Sequence, residues 1–101
     1  MYIEGKLKGG KLYVKPLIDV DERVAQIMRK EIDDLIDKNT FTRLVFDFGA
    51  IDFMDSTGIG MILGRYKKLQ KIDVGVGVIN ANNQIDKVLK ASGLYEIFDA
   101  E

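Results

Sequence analysis

The sequence contains no cysteine and no histidine. The first absence removes disulfides, zinc-thiolate sites and thiol nucleophiles together. The second removes the commonest general base and metal ligand. Proline occurs once, at Pro16, and because proline cannot donate to a β-ladder it is expected at an edge or a bulge. No apolar run approaches the ~20 residues of a membrane span, and the opening "MYIEGKLKGGKLYV" lacks the apolar core of a signal peptide. Charge of neither sign dominates: 15 basic residues face 16 acidic ones, for a formal net charge of −1. That balance gives no electrostatic footprint for nucleic acid or an anionic membrane. What remains is a chain of 101 residues, 47% of them hydrophobic, enough for one domain (1–101) with its own core. The expectation is a soluble cytoplasmic domain with little machinery for catalysis, no cofactor and no metal.

The patterning is that of an α/β fold. Ile3, Gly5 and Leu7 interleave with Tyr2, Glu4 and Lys6, and Gly9-Gly10 then turns the chain into "KLYVKPLIDV". Paired glycines supply the positive φ of a tight hairpin turn. From Asp21 to Lys38 the period becomes helical, with Val24, Ile27, Met28, Ile32, Leu35 and Ile36 on one face. Asp21 is a natural N-cap and Asn39 can close the helix. "RLVFDF" (43–48) reads as a central strand, and helical spacing returns at Ile59, Ile62, Leu63, Tyr66 and Leu69. "DVGVGVI" (73–79) is a second apolar strand, whose two glycines suggest that something packs closely on it. "NANNQIDKVLKASG" reads as a capped helix stopped by Gly93, and "YEIF" (95–98) as a last short strand. The order ββ-α-β-α-β-α-β predicts a mixed, mostly parallel sheet with an N-terminal antiparallel hairpin and helices packed against it. In such sheets ligands and partners meet the loops at the carboxyl ends of the strands, which is where "GAIDFMDSTG" falls.

The stretch "FMDSTGIGMILGRYKKLQK" (53–71) runs from that loop into a helix carrying three glycines. A nucleophile elbow needs glycine two residues before the serine and a histidine base; Met54 holds that position and the chain has no histidine. Gly58, Gly60 and Gly64 miss the dinucleotide fingerprint by one residue, and Asp47, Asp52 and Asp55 would repel a phosphate. Those carboxylates either converge on a magnesium ion or cap turns and solvate a loop. Ser56 is open to two readings as well. It is a plain helix cap, or a phosphorylation site at or next to the N-cap, where a phosphate adds about −1.5 to −2 charge at a helix tip. Gly58 and Gly60 are then expected to keep the surface beside Ser56 flat, and Gly64 to let the helix lie close to the sheet.

The same stretch closely resembles the signature of bacterial anti-sigma factor antagonists, small proteins of the STAS domain family, whose pattern is F-M-D-S-[ST]-G-[LI]-G followed by I-L-G-R-Y. "IDVDERVAQ" resembles the family's G-E-[LI]-D before a helix, with Asp21 as the counterpart of the final Asp, and "VLKASGLYEIF" resembles L-x-x-S-G-L-x-x-x-[IF]. Here Ile18 and Asp19 replace the glycine and glutamate of G-E-[LI]-D. The resemblance implies a binding protein and not an enzyme. When unphosphorylated it would bind an anti-sigma factor with serine kinase activity and so free a sigma factor. Phosphorylation of Ser56 would end that binding, and a metal-dependent serine phosphatase would restore it. Carried over by position, the docking surface comprises Asp21, Asp55, Ser56, Thr57, Gly58, Ile59 and Gly60, with no direct contact to nucleic acid or membrane. The alternative is an unphosphorylated STAS-type scaffold or nucleotide-binding module. Relatives commonly continue into a last helix beyond the position of Glu101, so apolar sheet surface is expected to need cover from another element or subunit.

Overall fold

A computed structural model describes residues 1–98. The chain runs β1 (Ile3–Lys8), β2 (Lys11–Pro16), α1 (Glu22–Lys38), β3 (Arg43–Asp47), α2 (Ser56–Gln70), β4 (Gly75–Ile79) and α3 (Asn83–Ala91), followed by a 3-10 turn at Leu94–Glu96. The strands lie side by side in the order β1-β2-β3-β4. β1 and β2 are antiparallel across the Gly9-Gly10 turn, where φ is +58° and +77°, values that glycine adopts at little cost. The β2-β3 and β3-β4 pairs are parallel, as the alternation of strand and helix predicts.

Side chains alternate across a strand, and the register turns that alternation into two unlike faces. Leu12, Leu44 and Val76 form one row and Val14, Phe46 and Val78 the next. All but Val78 of these are buried, and all belong to or pack on one core cluster with Met28, Ile32, Met61, Ile62, Ile85 and Leu89 from the helices. α1 packs on β1 and β2, α2 on β4, and α3 on α2. The reverse face presents Lys8, Lys11 and Arg43 in one row and Lys6, Tyr13 and Val45 in another.

α1 spans the expected residues. Asp21 caps it through Arg23 N–H, and Asn39 closes it by donating its side-chain amide to Leu35 O at 2.8 Å. Ile27, expected on the buried face, is 49% exposed; it lies at the flank of the apolar stripe, and Val24, Ala25 and Met28 fill the space against the sheet. Pro16 is neither at a sheet edge nor in a bulge, since it ends the interior strand β2. It is tolerated because β3 pairs with β2 only as far as Val14. Leu17 N–H donates to Tyr2 O at 2.8 Å, so the alternation aims the proline nitrogen towards the β3 side, beyond the end of that ladder. The expected strand at 95–98 does not form. Gly93 leaves α3 at φ +76°, the next residues make a 3-10 turn, and Tyr95 donates its hydroxyl to Asp86 at 2.6 Å. Burial, then the Asp86 carboxylate, push the Tyr95 phenol up to about 12.

α1 and α2 run side by side and are joined by charge. Arg65 Nε lies 3.1 Å from Asp33 Oδ1, and Lys68 Nζ is 3.7 Å from both Asp33 and Asp37. Arg65 is only 14% exposed, and its Nε makes no well-aligned hydrogen bond, so the contact is coulombic more than directional. Arg65→Met is expected to lower stability by about 1–3 kcal/mol, between the limits for exposed and buried pairs. Asp33→Asn should cost a similar amount. Urea titration of the single and double variants checks this, the pair being expected to show non-additive losses.

Candidate functional site

The loop between β3 and α2 crosses the carboxyl ends of the parallel strands. It leaves the sheet through Phe48, whose N–H donates to Ile79 O at 3.1 Å. Asp47 turns it, accepting from Gly49 N–H at 2.9 Å and from the Asn80 side chain at 3.0 Å. Backbone polar groups need partners, and residues 52–55, of which Met54 is buried, find theirs on both flanks. On one side Asp19 Oδ1 accepts from the N–H groups of Asp52 and Phe53, at 2.9 and 3.1 Å. Beside it Val20 makes an isolated parallel bridge with Met54. Val20 N–H donates to Phe53 O, and Asp55 N–H donates to Val20 O, both at 3.1 Å. On the other side Gln84 accepts from Met54 N–H and donates to Met54 O, both at 3.0 Å. Asn82 donates to Asp52 O at 3.0 Å while its oxygen caps α3 through Ile85 N–H.

This clamp delivers the chain to the N-terminus of α2. Asp55 is the N-cap, accepting from Thr57 N–H at 2.9 Å and also from the Thr57 hydroxyl. Ser56 therefore stands next to the cap, as the first residue of the helix, exposed to solvent. A cap that Ser56 might have supplied is supplied by Asp55, which leaves the serine hydroxyl outside the capping contacts. The bridge to Val20 brings Asp21, the cap of α1, to the same end of the molecule. Arg23 grips the Asp21 carboxylate in a fork, through Nε at 3.0 Å and Nη2 at 2.8 Å. That hydrogen bonding, first of all, holds Asp21 below its ordinary pKa. Asp21 is thus an anion at neutral pH.

The other residues implied by the resemblance divide. Thr57 and Ile59 are half-buried and Gly60 is exposed beside Ser56. Gly58 is buried, so its role is not to flatten the docking surface. A Cβ there would lie 2.3 Å from Met54 Cγ and 3.3 Å from Val20 Cγ1; the missing side chain lets the first turn of α2 close over the clamped loop. Gly60 does leave an open surface, where a Cβ would meet only Arg29 Nη2 at 3.5 Å. Gly64 was expected to let the helix approach the sheet, but a Cβ there would have nothing within 4 Å. The Asp47 and Asp55 carboxylates bond in different turns, and among the described residues no group of three or more acidic side chains could hold a metal ion.

Sequence reasoning missed Asp19, Asn82 and Gln84. In the sequence Asp19 stands out only as a departure from the family pattern, and "NANNQ" only as a helix start. Their loop contacts span 30 to 34 residues, beyond the reach of local periodicity.

Gln84→Leu strands the N–H and C=O of Met54, and at ~1–3 kcal/mol per unsatisfied group it is expected to lower stability by about 2–4 kcal/mol. The Met54 amide should lose hydrogen-exchange protection at the same time. The glycines separate in direction: Gly58→Ala is expected to destabilise by about 1–3 kcal/mol through overpacking. Gly64→Ala, in open helical surroundings, should stabilise by roughly 0.5–1 kcal/mol. Thermal or urea unfolding distinguishes the two.

The sequence matches the STAS domain family over residues 2–101. It is 30% identical over 97 residues to an anti-sigma F factor antagonist of Paenibacillus polymyxa, covering 96% of this chain and 83% of that protein. The solved structure of the anti-sigma factor antagonist SpoIIAA in its unphosphorylated form matches with a TM-score of 0.78 at 23% identity, covering 96% of this chain and 85% of the other. The Bacillus SpoIIAA structure in the phosphorylated form matches at 0.69, again at 23% identity, covering 96% and 88%. The first two are named as anti-sigma factor antagonists, and the structural likeness shows a shared fold. With a family match over residues 2–101 and a four-stranded mixed sheet under three helices, the chain belongs to the STAS domain family.

Proposed function

We propose that this chain is an anti-sigma factor antagonist switched by phosphorylation of Ser56. The observation that carries the proposal is the exposed Ser56 at the first position of α2, beside a cap already made by Asp55. In the unphosphorylated state the surface around Asp21, Asp55, Ser56, Thr57, Ile59 and Gly60 docks on an anti-sigma factor that is also a serine kinase. Gly58 serves from beneath by seating the helix turn on Met54. In the kinase step the Ser56 oxygen attacks the γ-phosphorus of ATP and forms the new O–P bond. The bond to the ADP oxygen breaks, and the hydroxyl proton passes to a base of the kinase.

The phosphate acts on the complex and spares the fold. At a helix N-terminus the free N–H groups and the dipole accommodate negative charge. At the interface the same dianion stands beside Asp55 and near Asp21, where docking would desolvate like charges together. A loss of a few kcal/mol at the centre of an interface weakens binding roughly a hundredfold or more. A serine phosphatase resets the switch, and the cycle belongs to the bacterial cytoplasm.

Incubation with the cognate kinase and ATP, read by intact mass, is expected to add one phosphate to the wild type and none to Ser56→Ala. Ser56→Asp is expected to keep the wild-type fold by circular dichroism and to lose roughly a hundredfold in affinity for the anti-sigma factor. Phosphate on Ser56→Ala, or equal binding by Ser56→Asp, would overturn the reading.

A further inference from the structure

α1 and α2 lie side by side, with Asp33 of α1 held by Arg65 of α2. One turn back along α1 stands Arg29, and its guanidinium lies over the next turn of α2. Arg29 Nη2 is 3.5 Å from the place a Cβ at Gly60 would occupy. Gly60 follows Ser56 by one turn on the same row of α2, and Cβ positions so related are about 5–6 Å apart. Helical side chains lean towards the N-terminus, so the space left empty at Gly60 is the lane between Arg29 and Ser56. Arg29 is half-buried, and among the described residues it makes no hydrogen bond and no ion pair. A guanidinium so placed gives up water without gaining an acceptor. Its neighbours are already committed. Asp33, four residues on, is engaged by Arg65 and Lys68. Asp55 accepts from the Thr57 backbone and hydroxyl, and Arg23 grips Asp21.

We infer that Arg29 is the intramolecular counter-ion of phosphorylated Ser56. The inference rests on the phosphorylation reading given above and names the group of this chain that receives the phosphate. The phosphate oxygens stand three bonds beyond the Ser56 Cβ, towards a guanidinium whose fork matches them in shape and charge. No side chain at position 60 bars the way. A Cβ there would make only ordinary contact with Arg29, but a longer side chain would stand in the lane. The other cations near this end are less suited: Arg23 would have to abandon Asp21, and Lys87, on the helix packed against α2, is exposed. Pairing within the chain offsets part of the repulsion between the dianion and Asp55. It also changes the tip twice over, adding a phosphate and withdrawing a free guanidinium from the surface beside Gly60. A partner seated on the unphosphorylated tip meets both changes at once.

The test installs phosphoserine at position 56 of the full chain during translation, so no kinase is needed. Its outcome is therefore separate from that of the kinase experiment: a chain the kinase ignores can show the pairing, and a true kinase substrate can lack it. Phosphorus NMR follows the second ionisation of the phosphate, which lies near pH 6 in phosphoserine. A facing cation favours the dianion and lowers that midpoint. Arg29→Gln is expected to raise it by about 0.5–1 pH unit relative to the otherwise unchanged chain, and Arg23→Gln or Lys87→Gln by clearly less. The amide spectrum of each variant checks its fold. A second readout needs no variant: the Arg29 Nε–Hε resonance should move when Ser56 carries the phosphate. Equal midpoints with and without Arg29, an unmoved Nε–Hε resonance, or an equal rise in either control variant would sink the inference.

Discussion

The candidate site depends on the backbone of residues 52–55 being hydrogen-bonded on both flanks. A connecting loop normally meets that requirement with water and remains mobile. Here Asp19 and Val20 satisfy one side, and Asn82 and Gln84 the other. The Gln84 amide stands in for a neighbouring strand, offering Met54 one acceptor and one donor. The loop becomes, in effect, a short continuation of the sheet without strand geometry. A rigid tip has little conformational entropy to lose when a partner docks, so contacts made there count nearly in full.

Electrostatics at that tip follow from where the helices begin. α1 and α2 both start there, each with an aspartate as its cap. The two caps offset the positive ends of two helix dipoles. An additional anion at this end meets carboxylates already in place. The free N–H groups of the first turn let the fold hold the charge, while a protein surface docked over it would have to desolvate it. The separation between a tolerant fold and an intolerant interface is what makes a helix tip a suitable place for a reversible charge.

Much of this was legible in the sequence because the signals were local. The α1 helix has period, cap and stop within its own residues, and the glycine pair at 9–10 announces its turn. Ile27 fails only because a stripe on a 17-residue helix is wider than the contact it makes. "YEIF" failed for a reason internal to short segments: four residues, three of them apolar or aromatic, fit a strand or a turn equally well. The positive φ of Gly93 and the Tyr95–Asp86 bond then decide for the turn. At Asp55-Ser56 two good caps are adjacent, and only the geometry shows which one is used. Gly58 and Gly64 look alike in the helical pattern, yet one lies against Met54 and Val20 and the other against open space. The clamp residues Asp19, Asn82 and Gln84 left the weakest trace, since their partners lie about thirty positions away.

That distance also sets the order of events during synthesis. The residues that brace the tip from its second side, Asn82 and Gln84, are made after Ser56. A nascent chain that ends shortly after Ser56 has the serine but not the braced loop around it. Contacts of such long sequence separation form late, after loop closure has been paid for by the sheet. The shape of the α2 tip is therefore a property of the folded domain and not of its fragments.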